Sequence, residues 1–237
     1  METKKNKSAF TMIELVFVIV VLGILASLAM GRIDRDLKQE ASETILSHIR
    51  LAQQLALNDN KHRAFNGTDD DAQWQTAYWQ FAMKKCGDNI AYRIASDTNL
   101  AGGVDGIAKI ESAINPIDGK YIFSSDCSNI ANDETPSVLL SKKFGIYDSG
   151  VIASGGCDRK QILFDYLGRP HSRNTSYAAA TNAAPNYFND IMTADCNLTF
   201  RMSTDVNNDG VIDNNDSFTI TIEKETGHSF IVGQEAL

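Results

Sequence analysis

One carboxylate stands inside an otherwise apolar stretch near the start of the chain. Glu14 lies close to the beginning of this stretch, and no charged residue occurs from Leu15 to Met30. A charged side chain inside a membrane-spanning helix costs about 2 to 3 kcal/mol or more, so such a residue is normally retained for a function. The chemistry open to it is pairing with a positive charge, because opposite charges in a low dielectric offset the desolvation of both. A single unpaired carboxylate therefore indicates assembly with a partner that neutralises it.

A second set of oxygen-bearing groups lies near the end of the chain, in residues 205–216. Their spacing is that of the calcium-binding loop of an EF-hand, in which positions 1, 3, 5, 7, 9 and 12 supply the ligands. The predicted ligands are Asp205, Asn207, Asp209, the backbone carbonyl of Val211, Asp213 and Asp216. Gly210 occupies the position of the sharp turn, and Ile212 is expected to anchor the loop inward. The sequence thus predicts a structural calcium ion, and the alternative is a solvated hairpin loop that binds nothing.

Four cysteines are candidates for covalent cross-links: Cys86, Cys127, Cys157 and Cys196. No two of them have the CxxC spacing that is typical of a zinc site, and the part of the chain that carries them is predicted to be exported. Two disulfides in an oxidising compartment are therefore favoured over a metal site. Three connectivities remain open from the sequence, and buried free thiols are the alternative.

No arrangement of side chains in the sequence indicates catalysis. The four histidines are scattered, none belongs to a metalloprotease motif, and "AGGVDG" at residues 101–106 lacks the lysine and helix of a phosphate-binding loop. His48 is predicted to be a solvated residue on the polar side of a helix. The net charge of −8 gives a surface that repels nucleic acid phosphates. We therefore expect neither an enzyme nor a nucleic acid partner.

A single long helix is predicted to position the N-terminal carboxylate. The apolar stretch is long enough to cross a bilayer, and Lys4, Lys5 and Lys7 before it are expected to stay on the cytoplasmic side. Beyond this stretch, apolar residues recur every three or four positions with charged residues between them, which is typical of an amphipathic helix. One continuous helix from about Thr11 to Leu57 is the simplest interpretation.

The remainder of the chain is predicted to form an antiparallel, β-rich head. Short segments rich in β-branched and aromatic residues are separated by Gly, Asp and Asn. These segments are residues 74–85, 90–96, 120–123, 138–146, 161–165, 197–203, 217–223 and 228–232. The calcium-type loop would join two of these strands. Residues 172–195 form a long polar insertion whose structure the sequence does not predict.

Residues 8–14, "SAFTMIE", resemble the processing site of type IV prepilins and type II secretion pseudopilins. In these proteins a short basic leader is cut just before a Phe, and a Glu follows at the fifth position of the mature chain. The resemblance implies that prepilin peptidase cuts between Ala9 and Phe10, with methylation of the new N terminus, although the family usually has Gly in place of Ala9. It also implies that Glu14 approaches the freed amine of a neighbouring subunit.

Two further stretches narrow the resemblance. "ILFDYLGRP" and "FTITIEKETGHSFIV" are similar to H-type minor pseudopilins and the related FimT minor pilins, in which an apolar strand ends in a Phe and a Gly-Arg turn, and a final hairpin carries Thr-Gly. The matching residues are Phe164, Gly168, Arg169, Thr226 and Gly227. From the residues alone, we predict a turn at residues 165–170, because Gly168 is free to adopt positive φ.

Together these features predict an α+β, type IV pilin-like protein. The predicted parts are a leader (1–9), a transmembrane half of the helix (10–31), an amphipathic half (32–58) and a periplasmic head (59–237). The resemblance implies a single-pass inner-membrane subunit that assembles with other pseudopilins or pilins into a type II secretion pseudopilus or a pilus tip. Two alternatives stay open. One is a minor pilin of a type IV pilus for adhesion, motility or DNA uptake, and the other is a secreted calcium-binding domain whose signal peptide is cut after "SLA", Ser27–Ala29.

Overall fold

The computed structural model describes residues 11–60, 77–98, 109–157, 160–172, 191–206 and 211–234, without the side chains of residues 27–36. These residues form one long helix followed by two antiparallel sheets. The α+β class predicted from the sequence is confirmed, and the arrangement is compatible with a pilin-like fold.

Helix α1, Met12–Asn58, runs without a break. Thr11 is its N-cap, because the Thr11 hydroxyl accepts a hydrogen bond from the Glu14 backbone N–H while the Glu14 carboxylate accepts one from the Thr11 N–H. This capping box satisfies two of the N–H groups that the start of a helix leaves unpaired. The extent of α1 agrees with the predicted continuous helix. In the parts of the chain that the structure describes, no helix combines the length and the apolar character needed to cross a membrane.

The second half of α1 packs on the sheets through one apolar stripe. Its members are fully or almost fully buried: Ala41, Ile45, Ile49, Ala52 and Ala56. Residues spaced by three and four positions lie on one face of a helix, so the stripe follows directly from the sequence periodicity. The stripe joins a core to which strands of both sheets contribute.

Eight strands occur within the described residues. In chain order they are β1 Trp79–Cys86, β2 Asn89–Ala95, β3 Val151–Gly155, β4 Gln161–Phe164, β5 Pro170–His171, β6 Cys196–Arg201, β7 Ser217–Ile222 and β8 Ser229–Ile231. The first sheet has the order β2-β1-β4-β5 and the second has the order β3-β6-β7-β8. Every pairing is antiparallel, as the hairpin spacing predicted.

Two of the predicted strands are wrong. Residues 120–123 form only isolated bridges, and residues 138–146 contain a short helix, α2 Leu140–Phe144. Gly145 ends α2 in the left-handed conformation, with φ of 65°, and its N–H donates to the carbonyls of the helix. A short apolar run cannot be assigned to strand or helix by periodicity alone. The strands β3 and β5 were not predicted.

Candidate functional site

The N-terminal carboxylate is held at the first turn of α1. The Glu14 Oε2 atom accepts hydrogen bonds of 2.9 Å from both the backbone N–H and the hydroxyl of Thr11. Ala9 and Phe10, the predicted processing site, lie outside the described residues. Thr11 would be the second residue of a chain cut before Phe10. The capping box therefore fixes the orientation of the Glu14 carboxylate against Thr11.

The helix that carries this carboxylate presents apolar side chains to its surroundings. Every large apolar side chain from Met12 to Leu25 is at least 37% exposed, and Phe17 is 68% exposed. These side chains point in all directions around α1. A continuous apolar surface of this extent marks contact with a membrane or with other proteins.

Comparison with known proteins gives one finding at this end of the chain. Residues 4–30 match the sequence model of the prokaryotic N-terminal methylation motif. This motif is typical of type IV pilin-like proteins. It implies processing by prepilin peptidase and assembly with other pilin subunits, and it spans Ala9, Phe10 and Glu14. No curated protein and no solved structure matches the chain.

The acidic loop is organised by its last predicted ligand. The buried Asp216 carboxylate accepts hydrogen bonds from the backbone N–H groups of Val206 (2.6 Å) and Asp213 (2.9 Å). Asp213 in turn caps the short 3₁₀ helix Asn214–Asp216. The prediction that Ile212 anchors the loop inward is wrong: it is 53% exposed, because Val206 and Asp216 fill the inward positions.

The predicted calcium ligands are only partly covered by the structure. Asn207 and Asp209 lie outside the described residues, whereas Asp205, Val211, Asp213 and Asp216 lie within them. No group of three or more His, Cys, Asp or Glu side chains in the described ranges is placed to hold a metal ion. The donor set is all oxygen, as calcium prefers. Calcium binding stays a prediction.

The prediction of two disulfides is confirmed, and the structure gives their connectivity. Cys86 pairs with Cys127, with a Cα–Cα distance of 5.8 Å, and Cys157 pairs with Cys196 at 5.0 Å. The first bond ties the end of β1 to the loop that carries Ile122 and borders the outer edge of β2. The second bond ties the segment just after β3 to the start of β6, so it joins two neighbouring strands of the second sheet.

Two glycine turns that carry the pseudopilin-like residues meet on α1. The Gln53 side-chain amide donates to the carbonyls of Gly168 (3.0 Å) and Thr226 (2.7 Å). Gly168 and Gly227 both have positive φ, and a Cβ on Gly227 would overlap the Gly168 carbonyl oxygen. Close approach of the two backbones therefore requires glycine. No pattern in the sequence indicates that Gln53 joins the turns.

The buried Asp165 carboxylate closes the first of these turns, in agreement with the turn predicted from Asp165 to Pro170. The Asp165 carboxylate accepts hydrogen bonds from the backbone N–H groups of Leu167 and Arg169 and from the Arg169 side chain. Burial raises the pKa of Asp165, but hydrogen bonds from His171 and Arg169 outweigh burial and hold it below its ordinary value. An Asp at the start of a Gly-containing turn is the signal that could have predicted this role.

His48 is not solvated, and that prediction is wrong. The ring is 3% exposed, and its Nδ1 atom lies 2.6 Å from the Tyr92 hydroxyl. The loop around Asn115 covers this second face of α1, leaving a groove of about 490 Å³ beside it. Burial lowers the pKa of His48 to about 4. Periodicity identified only the apolar stripe, and it missed a polar residue buried by a loop.

Proposed function

We propose that this chain is a minor pseudopilin that is cut after Ala9 and assembles into a type II secretion pseudopilus or its tip. The observation that carries the proposal is the methylation motif at residues 4–30, which overlaps the part of α1 whose large apolar side chains, from Met12 to Leu25, are exposed. The uncharged stretch Leu15–Met30 would cross the inner membrane, with the head in the periplasm. Transfer of the helix from lipid into a bundle of like helices is then the assembly step.

Glu14 supplies the directional part of this mechanism. In lipid an isolated carboxylate is costly, and the amine of Phe10 freed in a neighbouring subunit would offset that cost by pairing with it. The Thr11 cap holds the carboxylate in place before the partner arrives. Because both charges exist together only after cleavage, processing and assembly are coupled.

The head supports assignment to the H-type group of minor subunits. The Gly-Arg turn and the Thr-Gly turn, which resemble that group in sequence, are joined through Gln53 of α1. Arg50 adds a second attachment, because its guanidinium donates to the Ser229 carbonyl at 2.7 Å. These contacts fix the head rigidly to the assembling helix. The identity of the co-assembled subunits would decide between a secretion pseudopilus and a type IV pilus.

The test is replacement of Glu14 in the full chain. We expect Glu14→Ala to lower incorporation into sheared filaments at least tenfold, because the neighbour's amine would be left unpaired. Glu14→Gln keeps the side-chain length and should show a similar loss. Glu43→Gln removes a carboxylate from the exposed part of the same helix and should assemble normally. Normal assembly of Glu14→Ala would refute the proposed mechanism.

We also propose that residues 205–216 bind a structural calcium ion. The ligands would be those named from the sequence, and the ion would relieve the repulsion among the Asp side chains. At an affinity of about 10⁻⁴ M, calcium at about 1 mM adds about 1.4 kcal/mol, or about 3 to 6 °C in melting temperature. Magnesium at the same concentration is the control and should give no comparable rise. A melting temperature that ignores both calcium and chelator would contradict the calcium site.

A further inference from the structure

The outer edges of three strands are covered by hydrogen bonds. A strand at the edge of a sheet has backbone groups that need other partners. At β2, the Ile94 N–H donates to the Ile122 carbonyl (3.1 Å), and the Ile94 carbonyl accepts from the Ala113 N–H (2.8 Å). At β5, the Pro170 carbonyl accepts from the Met192 N–H (3.1 Å). Loops of the head therefore protect both edges of the first sheet.

The β8 edge of the second sheet is protected by α1 and by its own turn. The Ser229 carbonyl accepts from the Arg50 guanidinium, and the Ile231 carbonyl accepts from the Gln234 N–H at 3.0 Å. Both carbonyls that face away from β7 are thus satisfied. The remaining edge of this sheet is β3.

The register of β3 shows which of its backbone groups face outward. The Gly156 N–H donates to the Asp195 carbonyl (2.9 Å), so the hydrogen-bonded pairs with β6 fall at even-numbered residues. Odd-numbered residues therefore direct their backbone groups away from β6. The Val151 N–H is taken by the Asp148 carbonyl. The Val151 carbonyl and the Ala153 N–H and carbonyl have no hydrogen-bond partner within the described part of the chain.

The side chains of β3 do nothing to block an added strand. Ile152 is 48% exposed, and β3 contains no charged residue and no proline. Charged residues and prolines are the means by which natural sheets protect edges. Gly155, with φ of 77°, turns the chain away and limits the free edge to three groups. These groups are spaced to pair with one extended backbone segment.

We propose that the outer edge of β3 binds an extended segment of a neighbouring subunit, which adds a strand to the second sheet. This inference rests on the proposed function. Three hydrogen bonds and one apolar contact at Ile152 give a dissociation constant no tighter than about 1 mM. A freely diffusing protein would rarely occupy such a site. A neighbour tethered in the same assembly has an effective concentration in the millimolar range, which is sufficient.

The test uses the full chain in the producing cells, with a photo-crosslinking amino acid in place of Ser154. We expect an adduct with another subunit of the assembly. Ala153→Pro should lower its yield at least tenfold, because proline removes the outward N–H and leaves the ladder with β6 intact. Ala153→Ser keeps the N–H and should retain the adduct. If Ala153→Pro fails to fold, Ile152→Lys keeps every backbone hydrogen bond and should give the same loss, with Ile152→Thr as its control.

A second crosslinker at Val20, in the exposed apolar half of α1, separates this inference from the proposed function. Adducts from Val20 without any from Ser154 would overturn the β3 inference and leave the proposed function standing. Absence of adducts from Val20 would overturn the proposed function, and the β3 inference with it. A Ser154 adduct that Ala153→Pro and Ile152→Lys both leave unchanged, or one formed only with a protein outside the assembly, would also overturn the β3 inference.

Discussion

The two halves of α1 share one continuous backbone and have opposite surroundings. Ile49 is completely buried against the sheets, whereas Ile19 is 59% exposed. In the second half, tertiary packing stabilises the helix. In the first half, the Thr11 cap and the internal hydrogen bonds hold a helix whose large apolar side chains are exposed from Met12 to Leu25. The comparison separates one apolar face that is completed within the chain from one that is exposed, and the proposed function assigns the exposed one to lipid and other subunits.

The largest effect should come from truncating an isoleucine in the buried half of α1, with an isoleucine in the exposed half as the control. Ile49→Ala removes a fully buried side chain and should lower the free energy of unfolding of the head by about 2 to 5 kcal/mol. Ile19→Ala should leave it unchanged. Denaturant unfolding of the detergent-solubilised chain measures both. Equal losses from the two variants would show that the halves do not differ in this way.

The pH dependence of stability tests whether His48, in the second half of α1, is buried as a neutral ring. The pKa of His48 is about 4 in the folded head and ordinarily 6.5, so the unfolded chain takes up the proton first as the pH falls. The contribution of His48 to the free energy of unfolding is therefore fully present above pH 6.5. As the pH falls toward 4, the free energy of unfolding decreases by about 3 kcal/mol. His48→Gln should flatten this dependence. The same slope in variant and parent would mean that His48 is not buried as the neutral ring.

The smallest effect concerns the turns held by Gln53. Gly227→Ala forces a Cβ against the Gly168 carbonyl and should cost about 2 kcal/mol more than Gly87→Ala. Gly87 has a similar positive φ, with open space where a Cβ would be, so it controls for backbone strain alone. Thermal unfolding of the two variants measures the difference. Matching melting temperatures would contradict close packing of the turns on α1.

Much of the fold could be predicted from the sequence, because local periodicity determines it. The stripe from Ala41 to Ala56 predicted the packed face of α1, and segments rich in β-branched and aromatic residues between Gly, Asp and Asn predicted six of the strands. The strand predicted at residues 138–146 was wrong because a short apolar run fits either a strand or a buried helix. Lys142 and Lys143 followed by Gly145 form a helix-end pattern that could have corrected it.

In the candidate site too, features that depend on local spacing could be predicted, whereas features that depend on contacts between distant segments could not. Glu14 and the processing site were predicted from local spacing, and the methylation motif spans the same residues. Cleavage after Ala9 and the role of Glu14 stay predictions. The pairing of Cys157 with Cys196 was not predictable, since it depends on the pairing of β3 with β6, and β3 itself was not predicted. The burial of His48 depends on a loop that is far away in sequence. Contacts between distant segments require the fold before they can be assigned.

The central claim is that the chain is cut at the methylation motif and then assembled through the exposed half of α1. Mass spectrometry of the N-terminal peptide from the mature protein tests it most directly. We expect a mature chain that begins at Phe10 and carries a methyl group on its amine. A mature chain that begins at Met30, or one that retains Met1, would contradict it.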